Sequence, residues 1–217
     1  AGKANGLGIH ESQSRLWENQ IGRSLEFCHW SLPLWKEAFP EKMQDIDAEM
    51  LWRAVNVVEP SLIRVEADEA TYNIHIMIRY EIEKLLISGD LEVDELPGKW
   101  DDMYEEYLGV RPTDNSSGVL QDIHWSMGAI GYFPTYTLGN LYSAQLLSAA
   151  REDLPEHDLQ ISRGDFSPLL DWMRRKVHGR GSILEPAKLI EEATGEAPSP
   201  EAFVDYLRDK VKRLYSV

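Results

Sequence analysis

Thr71-Tyr72-Asn73-Ile74-His75-Ile76-Met77-Ile78-Arg79-Tyr80-Glu81-Ile82-Glu83-Lys84-Leu85-Leu86-Ile87-Ser88, followed by Gly89, is the stretch on which the fold turns. It is dense in Ile, Met and Leu and meets no breaker before Gly89, which suits the position just past a helix end. A segment so apolar all round is expected to be a central, buried helix. Outward from it the helical period recurs. Leu16, Ile21, Leu25 and Cys28 form one pattern across 14–28, which Pro33 is expected to interrupt. Met43, Ile46, Met50, Leu51 and Val55 form a second, stopping before Glu59-Pro60-Ser61. Leu96-Pro97-Gly98 opens a helix through Tyr107, and Leu108-Gly109-Val110-Arg111-Pro112 closes it. The last third reads as helices over 134–150, 166–177, 186–193 and 200–215, most with Pro in the first turn. Only Ser61-Leu62-Ile63-Arg64-Val65-Glu66-Ala67 alternates apolar and polar, so a short strand or extended segment is expected at 61–67. The expectation is a single all-α unit over 1–217, with at most that small β element.

Ala1-Gly2-Lys3-Ala4-Asn5-Gly6-Leu7-Gly8 reads as a connecting loop, since three glycines would weaken a helix, and a helix is expected to start near His10. This segment has no initiator Met and no apolar core of signal-peptide length. The 217 residues, 43% of them hydrophobic and including seven Trp and nine Tyr, are enough for a sizeable core. No run of about 18 apolar residues is present to span a bilayer. Thirty-seven acidic against twenty-two basic residues give a formal charge of -15, which repels phosphate backbones and anionic lipid. The longest basic run, Arg174-Arg175-Lys176, reads as a solvated helix face, so neither nucleic acid nor a membrane is expected as a partner. One cysteine, Cys28, excludes an internal disulfide framework and a Cys-rich zinc site, and fits a reducing, cytoplasmic compartment.

Of the six histidines no two stand four apart, so the His-Glu-x-x-His helix of a zinc peptidase is missing from these residues. Walker, Gly-x-Ser-x-Gly and Gly-x-Gly-x-x-Gly motifs are missing too. Four polar clusters remain. His10-Glu11-Ser12-Gln13-Ser14-Arg15 reads first as helix capping by Ser12 or Ser14, and alternatively as a carboxylate presented to a metal. Arg64, flanked by Ile63 and Val65, is either the partner of a structural acid or a bidentate binder of a carboxylate. Gln121-Asp122-Ile123-His124-Trp125 sets an amide, an acid and an imidazole together after a loop, where His124 is a core histidine or an acid. Gly131-Tyr132-Phe133-Pro134-Thr135-Tyr136 is an aromatic turn whose phenols either pack or donate to an oxyanion.

Taken in order, these clusters resemble the carboxypeptidase Taq family of zinc metallocarboxypeptidases. The resemblance lies in His10-Glu11-Ser12 with Ser14-Arg15 and Leu16-Trp17-Glu18-Asn19, and in Ile63-Arg64-x-x-Ala67-Asp68 running into Thr71-Tyr72-Asn73. It continues in Gly118-x-x-Gln121-Asp122-x-His124-Trp125 and Gly131-Tyr132-Phe133-Pro134-Thr135-Tyr136-x-Leu138-Gly139-Asn140. Gly164-Asp165-Phe166, Trp172, His178-x-x-Gly181 and Thr194-Gly195 extend it toward the C-terminus. The resemblance implies a multi-helix array around a metallopeptidase cleft, a homodimer, and removal of single residues from the free C-terminus of a peptide. It implies that Glu11 is a metal ligand for zinc or another divalent ion, that Arg64 anchors the substrate's terminal carboxylate with Gln121 beside it, and that His124 and Tyr136 lie near the scissile carbonyl. His10, Asp68 and Asp122 are implied as supporting residues. The family's His-Glu-x-x-His helix stands shortly before the His-Glu-Ser motif and has no counterpart here. The chain is therefore expected to be a C-terminal portion of a larger enzyme, truncated by design, proteolysis or gene fragmentation, with no metal stably bound and no activity alone. The alternative is a non-catalytic helical module for binding or assembly.

Overall fold

The computed structural model describes residues 5–216. Eleven α-helices account for most of them: α1 (Leu7–Arg15), α2 (Leu25–Ala38), α3 (Pro40–Met43), α4 (Ala48–Ala54), α5 (Glu69–Ser88), α6 (Leu96–Leu108), α7 (Pro134–Asp153), α8 (His157–Ser162), α9 (Ser167–Lys176), α10 (Pro186–Thr194) and α11 (Glu201–Tyr215). No strand occurs among the described residues, and the all-α expectation holds. The residues divide into two compact units, one of 1–56 with 138–217 and one of 57–137.

In the first unit, α1 starts at Leu7 rather than near His10, so Gly8 lies in the helix and not in the expected loop; Gly6 (φ 75°) stays outside it as the N-cap, and Gly2 lies outside the described residues. Gly8 sits inside the helix because a Cβ there would stand 3.1 Å from Leu138 Cβ and 3.2 Å from Tyr142 Cε2. Gly139 on α7 is tighter still, since its Cβ would come 2.6 Å from Glu11 Cβ. Backbone approach at these two glycines fixes where α1 and Glu11 lie against α7. Ser12 and Ser14 do not cap. They sit in the helix body and their hydroxyls turn back to Ile9 O and Glu11 O. The helix expected over 14–28 is broken: a π-helical turn covers Leu16–Ile21, and α2 begins afresh with Ser24 accepting from Phe27 N at 3.1 Å. Pro33 lies inside α2 rather than ending it. The pattern over 43–55 also splits, with Asp47 capping α4 through Met50 N. The main core joins Leu16, Ile21, Leu146, Leu147, Trp172, Met173, Leu189 and Ile190. A smaller one holds Cys28, Ala48, Trp52 and Leu214.

The second unit is organised by α5 and α6. Asp68 caps α5 and Gly89 (φ 78°) ends it, while Gly109 (φ 70°) ends α6. Ile78 and Ile82 pack on Trp100, Met103, Tyr104 and Val119. The helix α5 is not buried all round: Met77, Tyr80 and Ile87 are exposed, and its inner face mixes Ile76 and Ile82 with Tyr72, His75, Arg79 and Glu83. Where a short strand or extended segment was expected at 61–67, the chain has an extended Ile63 followed by a 3-10 turn, Arg64–Glu66, and no strand. Its alternation runs inside out, with Arg64 5% exposed and Val65 69% exposed.

Candidate functional site

Arg64 is drawn inward because the second unit holds its partners. Its Nε and Nη2 donate to Asp122 Oδ1 at 3.1 and 2.7 Å, and Nη1 donates to Tyr72 Oη at 2.8 Å. The other oxygen of Asp122 is taken by Arg79, whose Nε donates at 2.7 Å with Nη2 2.6 Å away. One carboxylate, 7% exposed, thus stands between two guanidiniums. Burial works against all three charges, but each finds its opposite. Desolvation raises the Asp122 carboxyl, yet the hydrogen bond from Arg64 and the field of both arginines hold it below its ordinary range. Desolvation lowers Arg64, yet its hydrogen bonds to Asp122 and Tyr72 carry it above its ordinary value. The triad keeps one positive charge in excess.

Gln121 locks this arrangement. Its Oε1 accepts from Arg64 N and from Arg79 Nη2, both at 2.9 Å, while its Nε2 donates to Leu62 O and Ser117 O, both at 2.9 Å. With both ends of the amide engaged inside the chain, Gln121 positions Arg64 and does not present a free group to a ligand. A guanidinium has five N–H groups. Asp122 and Tyr72 take three from Arg64, leaving one on each Nη. The cation also lies over Tyr136, 5.0 Å from the ring centroid, and over Phe133 at 5.7 Å.

His124 and Tyr136 come together as their spacing did not reveal: His124 Nε2 and Tyr136 Oη are 3.0 Å apart, and one proton is shared between them. The imidazole leans on Phe133, with centroids 4.4 Å apart. Its Nδ1 is buried without a hydrogen bond, 3.8 Å from Asp122 Oδ1. Burial, with the two guanidiniums, keeps His124 below its ordinary pKa against the pull of Asp122, so the ring is neutral at pH 7. Asp68, implied as a supporting residue, sits at the start of α5. Its Oδ1 accepts from Ala70 N and Thr71 N at 2.8 and 3.0 Å, and Oδ2 accepts from Thr71 Oγ1 at 2.7 Å, so it is the cap of α5.

His10 and Glu11 belong to the first unit, on α1. His10 is exposed, and Glu11 is half-buried with Oε2 accepting from Ser14 Oγ at 3.3 Å. Among the described residues no three His, Cys, Asp or Glu side chains group closely enough to hold a metal ion. A tetrahedral zinc site draws three or four donors from protein. Glu11, the ligand the resemblance implies, would be one, and the described residues alone do not fit the ion.

Sequence reasoning overlooked Arg79, the most buried charge of the cluster at 0% exposed. Its Nη1 donates to His75 O at 2.8 Å and Tyr104 Oη at 2.9 Å. The available signal was its register: residues 72, 75, 79 and 82 share one face of α5, which makes an arginine there a core residue in need of a partner.

The family described as carboxypeptidase Taq (M32) metallopeptidase matches residues 1–211. Thermostable carboxypeptidase 1 of Thermus thermophilus is 50% identical over 99% of the chain, and Carboxypeptidase 1 of Bacillus subtilis is 47% identical over 96% of it. The chain spans 42% of the length of each. The solved M32 carboxypeptidase of Deinococcus radiodurans R1 superposes with a TM-score of 0.95 at 43% identity, over 100% of this chain and 44% of that one.

Proposed function

The chain belongs to the carboxypeptidase Taq (M32) metallopeptidase family, and from that premise we propose that it is the part of a metal-dependent carboxypeptidase that grips the C-terminal carboxylate of a peptide. The observation that carries this reading is the charge of the Arg64, Asp122 and Arg79 cluster. Two buried guanidiniums face one carboxylate, so the cluster is one negative charge short of balance, and Arg64 keeps two N–H groups for it. A peptide α-carboxylate supplies both the charge and the two acceptors. A peptide bond inside a chain supplies neither, which confines the enzyme to exopeptidase action.

In this reading Arg64 binds and orients the substrate's end, and Asp122, Gln121 and Tyr72 keep its guanidinium in plane. In the same proposal His124 and Tyr136, 3.0 Å apart and joined through one proton, donate a phenol O–H or imidazole N–H to the carbonyl oxygen as charge develops on it. Glu11 contributes one carboxylate to a divalent metal, with zinc the ion the family resemblance favours; the other donors have to come from protein outside these 217 residues. Held in the assembled enzyme, such an ion would supply Lewis-acid polarisation of the carbonyl and activation of water. A homodimeric parent and a cytoplasmic setting belong to the same proposal. No helix of the described residues is long and apolar enough to cross a membrane.

The test assays release of C-terminal residues by the full-length enzyme carrying this chain, with and without chelator and with Glu11→Gln. Activity that ignores the chelator or survives Glu11→Gln contradicts the metal assignment. Tight stoichiometric zinc in the 217-residue chain alone contradicts the statement that its donors are insufficient.

A further inference from the structure

We propose that Arg79 is a positioning residue for substrate capture: it supplies the positive charge that makes the Arg64 cluster anion-seeking, while itself touching no substrate. The inference rests on the carboxylate-gripping role of Arg64. Without Arg79, Arg64 and Asp122 form a closed pair with no net charge, joined through both Nε and Nη2. Such a pair has little to gain from a second carboxylate, because the incoming anion meets the field of Asp122 as well as that of Arg64. Arg79 changes that balance. It draws on the far oxygen of Asp122 at 2.7 Å, so one carboxylate serves two cations.

The same guanidinium also fixes geometry. Its Nη2 meets Gln121 Oε1, the atom that accepts from Arg64 N, so the backbone at Arg64 is tied to Arg79 through a single amide oxygen. Its remaining contacts go inward, to His75 O and Tyr104 Oη, and it lies 4.5 Å over the Trp100 ring. Fully buried and with N–H groups from all three nitrogens engaged, Arg79 has no route to the substrate. Its effect on catalysis therefore passes through Asp122, Gln121 and Arg64. Tyr104 and His75 stay neutral beside it, the phenol raised and the imidazole lowered by burial, so neither cancels its charge.

The experiment measures KM and kcat for a peptide with a free C-terminus, in the full-length enzyme carrying this chain, for Arg79→Gln, Arg79→Lys and Arg64→Gln. Removing the charge in Arg79→Gln is expected to raise KM about tenfold with kcat nearly unchanged. Arg79→Lys, which keeps the charge and loses the fork, is expected to recover most of that KM. A merely structural Arg79 would lower thermal stability and the active fraction and leave KM alone. The proposal is overturned if Arg79→Lys has the same KM as Arg79→Gln, or if both variants change kcat and not KM. Should Arg79→Gln fail to fold, Arg79→Lys decides through salt: retained charge predicts a wild-type salt dependence of KM, and a flattened one refutes the proposal. If Arg64→Gln leaves KM unchanged, the carboxylate-gripping reading itself has failed. If Arg64→Gln raises KM and the Arg79 variants do not, only the role of Arg79 has failed.

Discussion

Asp122→Asn puts the physics of the cluster to its hardest use. The substitution keeps the shape, removes the one negative charge between Arg64 and Arg79, and turns an NH2 group toward a guanidinium donor. Three hydrogen bonds of 2.7 to 3.1 Å reach this carboxylate, which is 7% exposed. Breaking a buried ion pair by removing one partner costs about 3–5 kcal/mol, because the charge left behind remains desolvated. Here two charges are left behind, so the upper half of that range is expected. Hydrogen exchange at the amides of α5 reads the loss locally, as a fall in protection of about three to three and a half decades. Asp102→Asn is the control. It breaks an exposed pair with Arg111 in the same unit and is expected to leave protection where it was. The stabilisation by Asp122 is present above the unfolded carboxylate pKa and is lost as pH falls through the lower folded value, so wild type keeps it down to about pH 4. A loss below about 1 kcal/mol in Asp122→Asn would refute the claim that the two guanidiniums depend on this one carboxylate.

Other outcomes follow from single contacts. Gly139→Ala is expected to cost about 1–3 kcal/mol in chemical denaturation, because the new Cβ would stand 2.6 Å from Glu11 Cβ between two helices. Asp68→Ala removes the cap of α5 and is expected to cost about 1 kcal/mol while leaving KM of the full-length enzyme unchanged. His75 is buried with its pKa lowered to about 4, so the unfolded chain takes up a proton that the folded one refuses; stability should fall as pH drops from about 6.5 to about 4, by up to about 1.4 kcal/mol per pH unit, and His75→Asn should remove that slope. In the full-length enzyme Tyr136→Phe is expected to lower kcat about a hundredfold with little change in KM, whereas an equal rise in KM would place Tyr136 in binding.

Much of the fold was legible because helix ends carry local chemistry. Gly89, Gly109 and Gly195 end their helices at positive φ, and Pro134 and Pro186 start theirs, where the sequence puts them. The errors came where tertiary contact outweighed local preference. Gly8 enters a helix because α7 passes too close for a side chain, and the 61–67 alternation is an arginine facing inward with its valine facing out, the reverse of a half-buried strand. Site residues show the same division. The resemblance singled out Arg64, Asp122, His124 and Tyr136, and these do converge in the second unit. The bond partners of Asp68 and Gln121, which make one a helix cap and the other a brace, depend on hydrogen bonds that spacing does not encode. Arg79 escaped because its partner, Asp122, lies 43 residues away in a loop.

The claim at the centre of this account is that Arg64 reads a peptide's terminal carboxylate. Binding of one peptide and its C-terminal amide twin to the full-length enzyme, in wild type and in Arg64→Gln, tests it most directly. Wild type should prefer the free acid by about 1.5–3 kcal/mol, the range of a charge-assisted hydrogen bond, and Arg64→Gln should bind both alike. An unchanged preference for the acid in Arg64→Gln would show that the carboxylate is held elsewhere.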